Sequence, residues 1–310
     1  MRAVIYQNNE AHYLSDQAKP VPLDGESLIR VELAAICNTD REILHAYRPD
    51  FHGIIGHEFV GVVEQSANDK LQGKRVVGEI NISCGNCLYC LTDRPNHCVN
   101  RATLGIHNKN GTFADYVTLP DQLLWVVGDD LRPDQAIFTE PLAAALRITE
   151  QIDLIAETPV AVVGDGRLAL LIVEALALTT NAQLTVIGKH PEKLQLFERF
   201  AQTTTSTQDS YEVVIEASGN PAALSTAIGL TRSLGTLVMK STYAGTTEID
   251  MSEIVVREIK IVGSRCGPFD KALDLLHSHR LDLPSPVLFK PQEFQAAFDS
   301  SAFKVALDFR

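Results

Sequence analysis

PVAVVGDGRLALLIVEAL, residues 159–176, joins a short apolar strand, a glycine turn and a long apolar helix in one run. Pro159 to Val163 is continuously apolar, the pattern of a strand buried on both faces. Gly164 permits a tight turn, and Gly166 lets a pyrophosphate approach the backbone where a helix begins. Ala169 fills the third fingerprint position, which tolerates a small residue. A strand before and a helix after give these glycines meaning. Arg167 adds a positive charge beside the turn and Leu168 follows it, so both join the candidate cofactor contacts.

The pattern repeats downstream. QLTVIG (183–188), YEVVIEASG (211–219), GTLVMKST (235–242) and EIKIVGS (258–264) are predicted strands. PEKLQLFERFA (191–201) and DKALDLLHSH (270–279) are predicted helices, and polar TTTSTQDS (203–210) is predicted to be a loop. Short apolar strands alternating with helices imply βαβ units and a parallel sheet. An NAD site is expected to carry an acid at the end of its second strand, against the ribose hydroxyls. Gly188 stands there, followed by Lys189 and His190. Without a carboxylate at that position, a 2′-phosphate has room against the two basic residues, and NADP(H) is favoured over NAD(H). Gly188→Asp is then expected to shift preference toward NAD(H).

Upstream the texture differs. RAVIYQ (2–7), SLIRVELAAI (27–36), FVGVVEQ (59–65), KRVVGEI (74–80) and ADYVTLP (114–120) are Val/Ile-rich and separated by Gly, Pro, Asn and Asp. They predict a mostly antiparallel barrel or sandwich. FTEPLAAALRITEQI (138–152) has helical spacing, and the C-terminal FKVALDFR is a strand expected to rejoin this first half.

Four of the six cysteines, Cys84, Cys87, Cys90 and Cys98, lie within CGNCLYCLTDRPNHC (84–98). In a reducing compartment such spacing points to metal rather than disulfides. Four soft thiolates suit tetrahedral zinc and fill its shell, making the site structural. An iron–sulfur cluster takes the same donors, and a zinc ribbon is a further alternative, although the charge fits it poorly. A second donor set is more dispersed: Cys37 in CNTDREIL, His57 and Glu58 in GHEFVGVVE, and Glu140 in EPLAAAL. One thiolate, one imidazole and one or two carboxylates leave a position open, as a catalytic zinc requires.

CNTD, GHEFVG, the cysteine lobe, EPL and the glycine turn occur in an order that resembles the medium-chain, zinc-dependent alcohol dehydrogenase superfamily, in its polyol, glucose and threonine dehydrogenase branches. The resemblance covers essentially the whole chain. It implies an α/β protein with a GroES-like β-barrel catalytic domain and a doubly wound parallel Rossmann sheet. The expected domains are 1–149 with 287–310 returning to it, and 150–286 for the cofactor. By the same resemblance Cys37 and His57 are zinc ligands, and Glu58 and Glu140 the remaining or exchangeable ones. Thr39 passes the alcohol proton toward solvent, and Asp40 orients the histidine ligand. The resemblance also adds Ser218 to the cofactor set, in EASGN (216–220), which matches the family turn near the nicotinamide, and Arg265, in GSRCG (263–267), a similar loop on the far edge of the cofactor. Glu42 stands where relatives carry a relay histidine. The implied reaction is hydride transfer between an alcohol or polyol, or the matching carbonyl, and NADP(H), with two zincs per chain. A catalytically silent nucleotide-binding sensor and a zinc-independent quinone or enal reductase are the rival functions.

The formal charge of −12 disfavours nucleic acid and anionic membranes as partners. No apolar run is long enough to span a bilayer, and the N-terminal stretch lacks the apolar core of a signal peptide. A soluble, cytoplasmic protein is expected, acting on a small molecule as a homo-oligomer, with a dimer favoured.

Overall fold

The computed structural model describes residues 1–45, 48, 50–242 and 247–310. Its chain divides into two compact units, Met1–Glu140 with Leu283–Arg310, and Pro141–Asp282. The sequence had set these crossings at 149/150 and 286/287.

The first unit is mostly antiparallel. Its largest sheet runs in the order Leu124–Val126, Arg75–Gly78, Glu58–Gln65, Glu26–Ala35, Val305–Asp308, Val287–Phe289, with Tyr116–Pro120 also paired to Glu26–Ala35. Val305–Asp308 pairs antiparallel with Glu26–Ala35, so the C-terminal strand returns to the first half of the chain. A second sheet joins Glu10–Leu14, Ala3–Gln7 and Gly53–Ile54. A third, of Asn81–Ile82, Ala102–Leu104 and Asn108–Lys109, adjoins the cysteine lobe in sequence. Ile29, Val31, Leu33, Val60, Val63, Leu119 and Leu307 fill the interior with at most 1% exposure. Each such side chain contributes roughly 1.5–3 kcal/mol of burial free energy.

Register explains how the catalytic candidates meet. Ala35 pairs with Glu58 on one side and with Ala306 on the other, and the Ile36 N–H donates to the Val305 carbonyl. Cys37, Glu58 and Lys304 therefore leave three neighbouring strands at the same edge. Gly56, with φ +93°, makes the bend before His57; a Cβ there would meet the Phe113 ring at 2.3 Å. The N–H groups of Gly111, Thr112 and Phe113 donate to the carbonyls of Ile54, Gly56 and Ile55, which pins this bend.

The second unit is a six-stranded parallel sheet in the order Gln202–Thr204, Gln183–Ile187, Pro159–Val163, Tyr211–Glu216, Thr231–Met239, Lys260–Gly263. Counted along the chain this is 3-2-1-4-5-6, the doubly wound order that reverses between the first and fourth strands. The helix Arg167–Thr179 follows the first strand, and Ala169 to Leu176 are buried along it.

Two expectations are corrected. TTTSTQDS is not loop throughout, because Gln202–Thr204 forms the edge strand, paired with Thr185–Ile187. Edge position tolerates this polar composition, since one side of the strand stays open to solvent. PEKLQLFERFA is not one helix: it closes as Pro191–Leu194 and a 3₁₀ turn, Gln195–Phe197. Residues 205–210 then cross to the fourth strand without a helix. The crossing spans three strand spacings, about 14 Å. It also returns about 17 Å along the strands, because Thr204 lies level with Glu216. A nearly extended segment, about 24 Å from 204 to 211, just covers the resulting distance of about 22 Å.

Candidate active site

Cys37, His57 and Glu58 place one ligand atom each within a mutual 4.8 Å. Cys37 precedes the helix Asn38–Leu44, and Asp40 lies in its first turn. One Asp40 oxygen accepts the Cys37 N–H at 2.8 Å, satisfying a donor that the helix start leaves open. The other lies 3.1 Å from His57 Nδ1. A carboxylate only accepts, so Nδ1 carries a proton and Nε2 is the nitrogen left for a metal, which would take the place of any proton there. Asp40 is fully buried and His57 only 3% exposed. Burial opposes the charged imidazole, but the Asp40 carboxylate and the Cys37 sulfur outweigh it, holding the His57 pKa well above its ordinary value. The donor chemistry and spacing fit a zinc ion with an incomplete protein shell.

Thr39 is half-buried, with its hydroxyl 3.8 Å from the Cys37 sulfur. Glu140, half-buried in the first turn of Thr139–Gln151, stands outside the 4.8 Å group. A residue the sequence did not single out, Lys304, makes a buried ion pair with Glu58 Oε2. Its ammonium also lies 5.2 Å from the centre of the Phe138 ring. The signal was present in FKVAL: a lysine set directly before an apolar strand and buried with it needs a buried partner.

The sulfurs of Cys84, Cys87, Cys90 and Cys98 also lie within 4.8 Å of one another, and all four are free thiols. Cys87 and Cys90 are 3.4 Å apart, as are Cys84 and Cys98. Tetrahedral zinc with four sulfurs sets neighbouring sulfurs about 3.8 Å apart, so the cluster fits that ion. Backbone groups favour the thiolates. The Cys90 N–H, joined by that of Val99, lowers the Cys87 pKa to about 6, and the Asn86 N–H lowers that of Cys84. The Cys84 N–H likewise favours the Cys98 thiolate, but burial and neighbouring sulfurs push Cys98 up to about 11. Four adjacent thiolates cannot all ionise without a cation among them.

The dinucleotide turn belongs to the second unit. Gly164 has φ +130°, and a Cβ on it would lie 2.8–2.9 Å from the backbone of Ala217 and Ser218. The glycine turn and EASGN are thus packed backbone to backbone. A Cβ on Gly166, which caps Arg167–Thr179, would meet no protein atom. That open approach to a helix N-terminus fits a pyrophosphate. Ser218 is exposed, and its N–H and hydroxyl donate to Glu216 Oε1 at 2.8 and 2.5 Å. Arg167 and Leu168 are half-buried and Arg265 exposed. The Arg265 carbonyl accepts from Lys240 Nζ at 3.3 Å.

The structure corrects the premise about the second strand. A carboxylate does stand at its end, supplied by Asp165 of the glycine turn. Asp165 Oδ2 accepts the N–H of Lys189 at 2.7 Å, the N–H of His190 at 2.8 Å and His190 Nδ1–H at 2.9 Å. A Cβ on Gly188 would lie 2.7 Å from Asp165 Cβ and 2.8 Å from Oδ2. Position 188 is glycine because Asp165 fills the space. Gly188→Asp therefore exchanges one carboxylate for another instead of adding the first.

Residues 23–129 match the alcohol dehydrogenase GroES-like domain, and residues 171–278 the zinc-binding dehydrogenase domain. An erythritol/L-threitol dehydrogenase of Mycolicibacterium smegmatis is 27% identical, over 96% of this chain and 93% of its own. A zinc-binding dehydrogenase from Sinorhizobium meliloti, solved bound to NADP, superposes with a TM-score of 0.88 at 26% identity, covering 99% of this chain and 98% of its own. An alcohol dehydrogenase from Escherichia coli CFT073, solved with NADH, gives 0.89 at 25% identity, covering 99% of both chains. The fold, the two domain matches and these dehydrogenase relatives lead to one conclusion: the chain belongs to the zinc-dependent medium-chain alcohol dehydrogenase superfamily of oxidoreductases.

Proposed function

We propose that the chain oxidises an alcohol or polyol, or reduces the matching carbonyl, with a nicotinamide coenzyme and two zinc ions. The observation that carries this reading is the convergence of half-buried Cys37 with buried His57 and Glu58, each donor braced by Asp40 or Lys304. When bound there, zinc supplies Lewis acidity at the substrate oxygen, and the coenzyme carries the hydride. Asp40 fixes the His57 tautomer, Lys304 holds one oxygen of Glu58, and Glu140 is the exchangeable carboxylate. The Thr39 hydroxyl is the first acceptor of the alcohol proton. Cys84, Cys87, Cys90 and Cys98 hold the second, structural zinc.

The relative named for erythritol and L-threitol supports a polyol. Among the described residues no helix is long and apolar enough to cross a membrane. The edge strand Lys260–Gly263 and the exposed Val255 and Val256 support a dimer. Gly188, Lys189 and His190 by themselves favour NADP(H), and the neighbouring relatives were solved with either coenzyme. A screen of alcohols, polyols and aldehydes with NAD⁺ and NADP⁺, or their reduced forms, tests the reading. Oxidation or reduction that disappears in Cys37→Ser supports it; no turnover of any of them by zinc-replete protein speaks for a silent sensor.

A further inference from the structure

We propose that Asp165 sets coenzyme choice in this chain, and that it selects NAD(H) by excluding the 2′-phosphate of NADP(H). The inference rests on the proposed dinucleotide site at the Gly164–Ala169 turn.

The end of the second strand of a doubly wound sheet is where the adenosine ribose is recognised. A 2′-phosphate bound there needs cationic side chains and backbone N–H groups. In this chain those groups are the Lys189 ammonium, the N–H of Lys189, the N–H of His190 and the His190 ring. The last three are already donated to one oxygen, Asp165 Oδ2. A phosphate would have to displace that carboxylate or lie against it, and like charges a few ångströms apart repel strongly at a partly buried site. The Asp165 side chain is 11% exposed. Burial favours its neutral form, but the N–H and ring of His190, with the N–H of Lys189, overcome this and lower its pKa. The carboxylate is ionised at neutral pH.

The same geometry leaves an acceptor for NAD(H). Every hydrogen bond made to the Asp165 side chain uses Oδ2, so among the described residues Oδ1 receives none. It remains for the ribose hydroxyls. Gly188 supports this assignment independently, since only glycine leaves room for the Asp165 side chain at 2.7 Å. The acid that dinucleotide sites carry on the second strand has moved into the glycine turn. Lys189 and His190 position it.

Binding, rather than turnover, separates the possibilities. NADH and NADPH are titrated against the full-length, zinc-replete protein and its Asp165→Asn and Asp165→Ser variants, following nicotinamide fluorescence. The wild type is expected to bind NADH at least tenfold more tightly than NADPH. Asp165→Asn keeps the size and an acceptor oxygen but loses the charge. It should narrow that ratio at least tenfold, chiefly by tightening NADPH, and Asp165→Ser should move it the same way. A wild type that prefers NADPH, or a ratio unchanged in both variants while both coenzymes bind, overturns the role of Asp165. Binding of neither coenzyme by the wild type overturns the dinucleotide site as well.

Discussion

The chain carries two groups of side chains placed so that they could hold a metal ion, and they are built by opposite means. Around Cys84, Cys87, Cys90 and Cys98 the support is backbone: N–H groups point at sulfur, and the neighbouring Leu88, Leu91 and Val99 are 70%, 73% and 71% exposed. Around Cys37, His57 and Glu58 the support is buried charge, with Asp40 at 0% and Lys304 at 4% exposure. Four identical donors close a shell and need only be brought together. A mixed, incomplete shell needs each donor held in one tautomer, charge state and direction, which takes a second layer of residues. Chemistry is expected where buried charges are concentrated, since they are costly unless paired.

Substitutions at the two groups should therefore fail differently. The largest effect belongs to Cys37→Ser: turnover falls by about three orders of magnitude or more, the scale of losing a metal-assisted step. Its circular dichroism and melting temperature should stay near wild type. Cys90→Ser should do the reverse, lowering the melting temperature by many degrees while activity falls only with the folded fraction. Equal damage to fold and turnover by both substitutions would erase the distinction.

In the zinc-free protein Lys304→Met leaves the buried Glu58 carboxyl without its cationic partner. Breaking a buried pair from one side destabilises by about 3–5 kcal/mol, to be read from denaturant midpoints. Lys304→Met/Glu58→Gln should recover part of it. Asp40→Asn is milder, weakening zinc affinity at the catalytic group about 10–100-fold, measurable by competition with a chelating dye. It should leave the four-cysteine zinc untouched.

The smallest effect lies in the second unit and calibrates the others. Glu174 is fully buried, its Oε1 has no hydrogen-bond partner among the described residues, and Oε2 accepts the Asp282 N–H at 2.8 Å. Burial raises its pKa from 4.5 to about 7. The folded state then holds a proton that the unfolded chain releases, so stability falls as pH rises from about 4.5 through about 7. Glu174→Gln should flatten that decline and gain roughly 1–3 kcal/mol at pH 8 relative to pH 4.5. A pH-independent effect would locate the cost in packing.

The sequence carried most of the fold because the strands it marked are buried and apolar, and burial leaves a periodic trace. It missed Gln202–Thr204, where an edge strand has no apolar face to advertise. The motifs that singled out Cys37, Asp40, His57 and Glu58 are local, and the structure brings these four residues together. Lys304 lies 246 positions from Glu58, and only the antiparallel register joins them. Asp165 was in plain view inside the glycine turn. Its role depends on folding back over Gly188, which spacing along the chain does not reveal.

The central claim is that two zinc sites with different duties share one chain, and metal analysis with thermal melting tests it most directly. The wild type should hold two zincs per chain. Cys37→Ser should hold one, melt close to the wild type and show no turnover. A wild type with one zinc or none, or a Cys37→Ser variant of verified lower zinc content that still turns over substrate, would contradict the account.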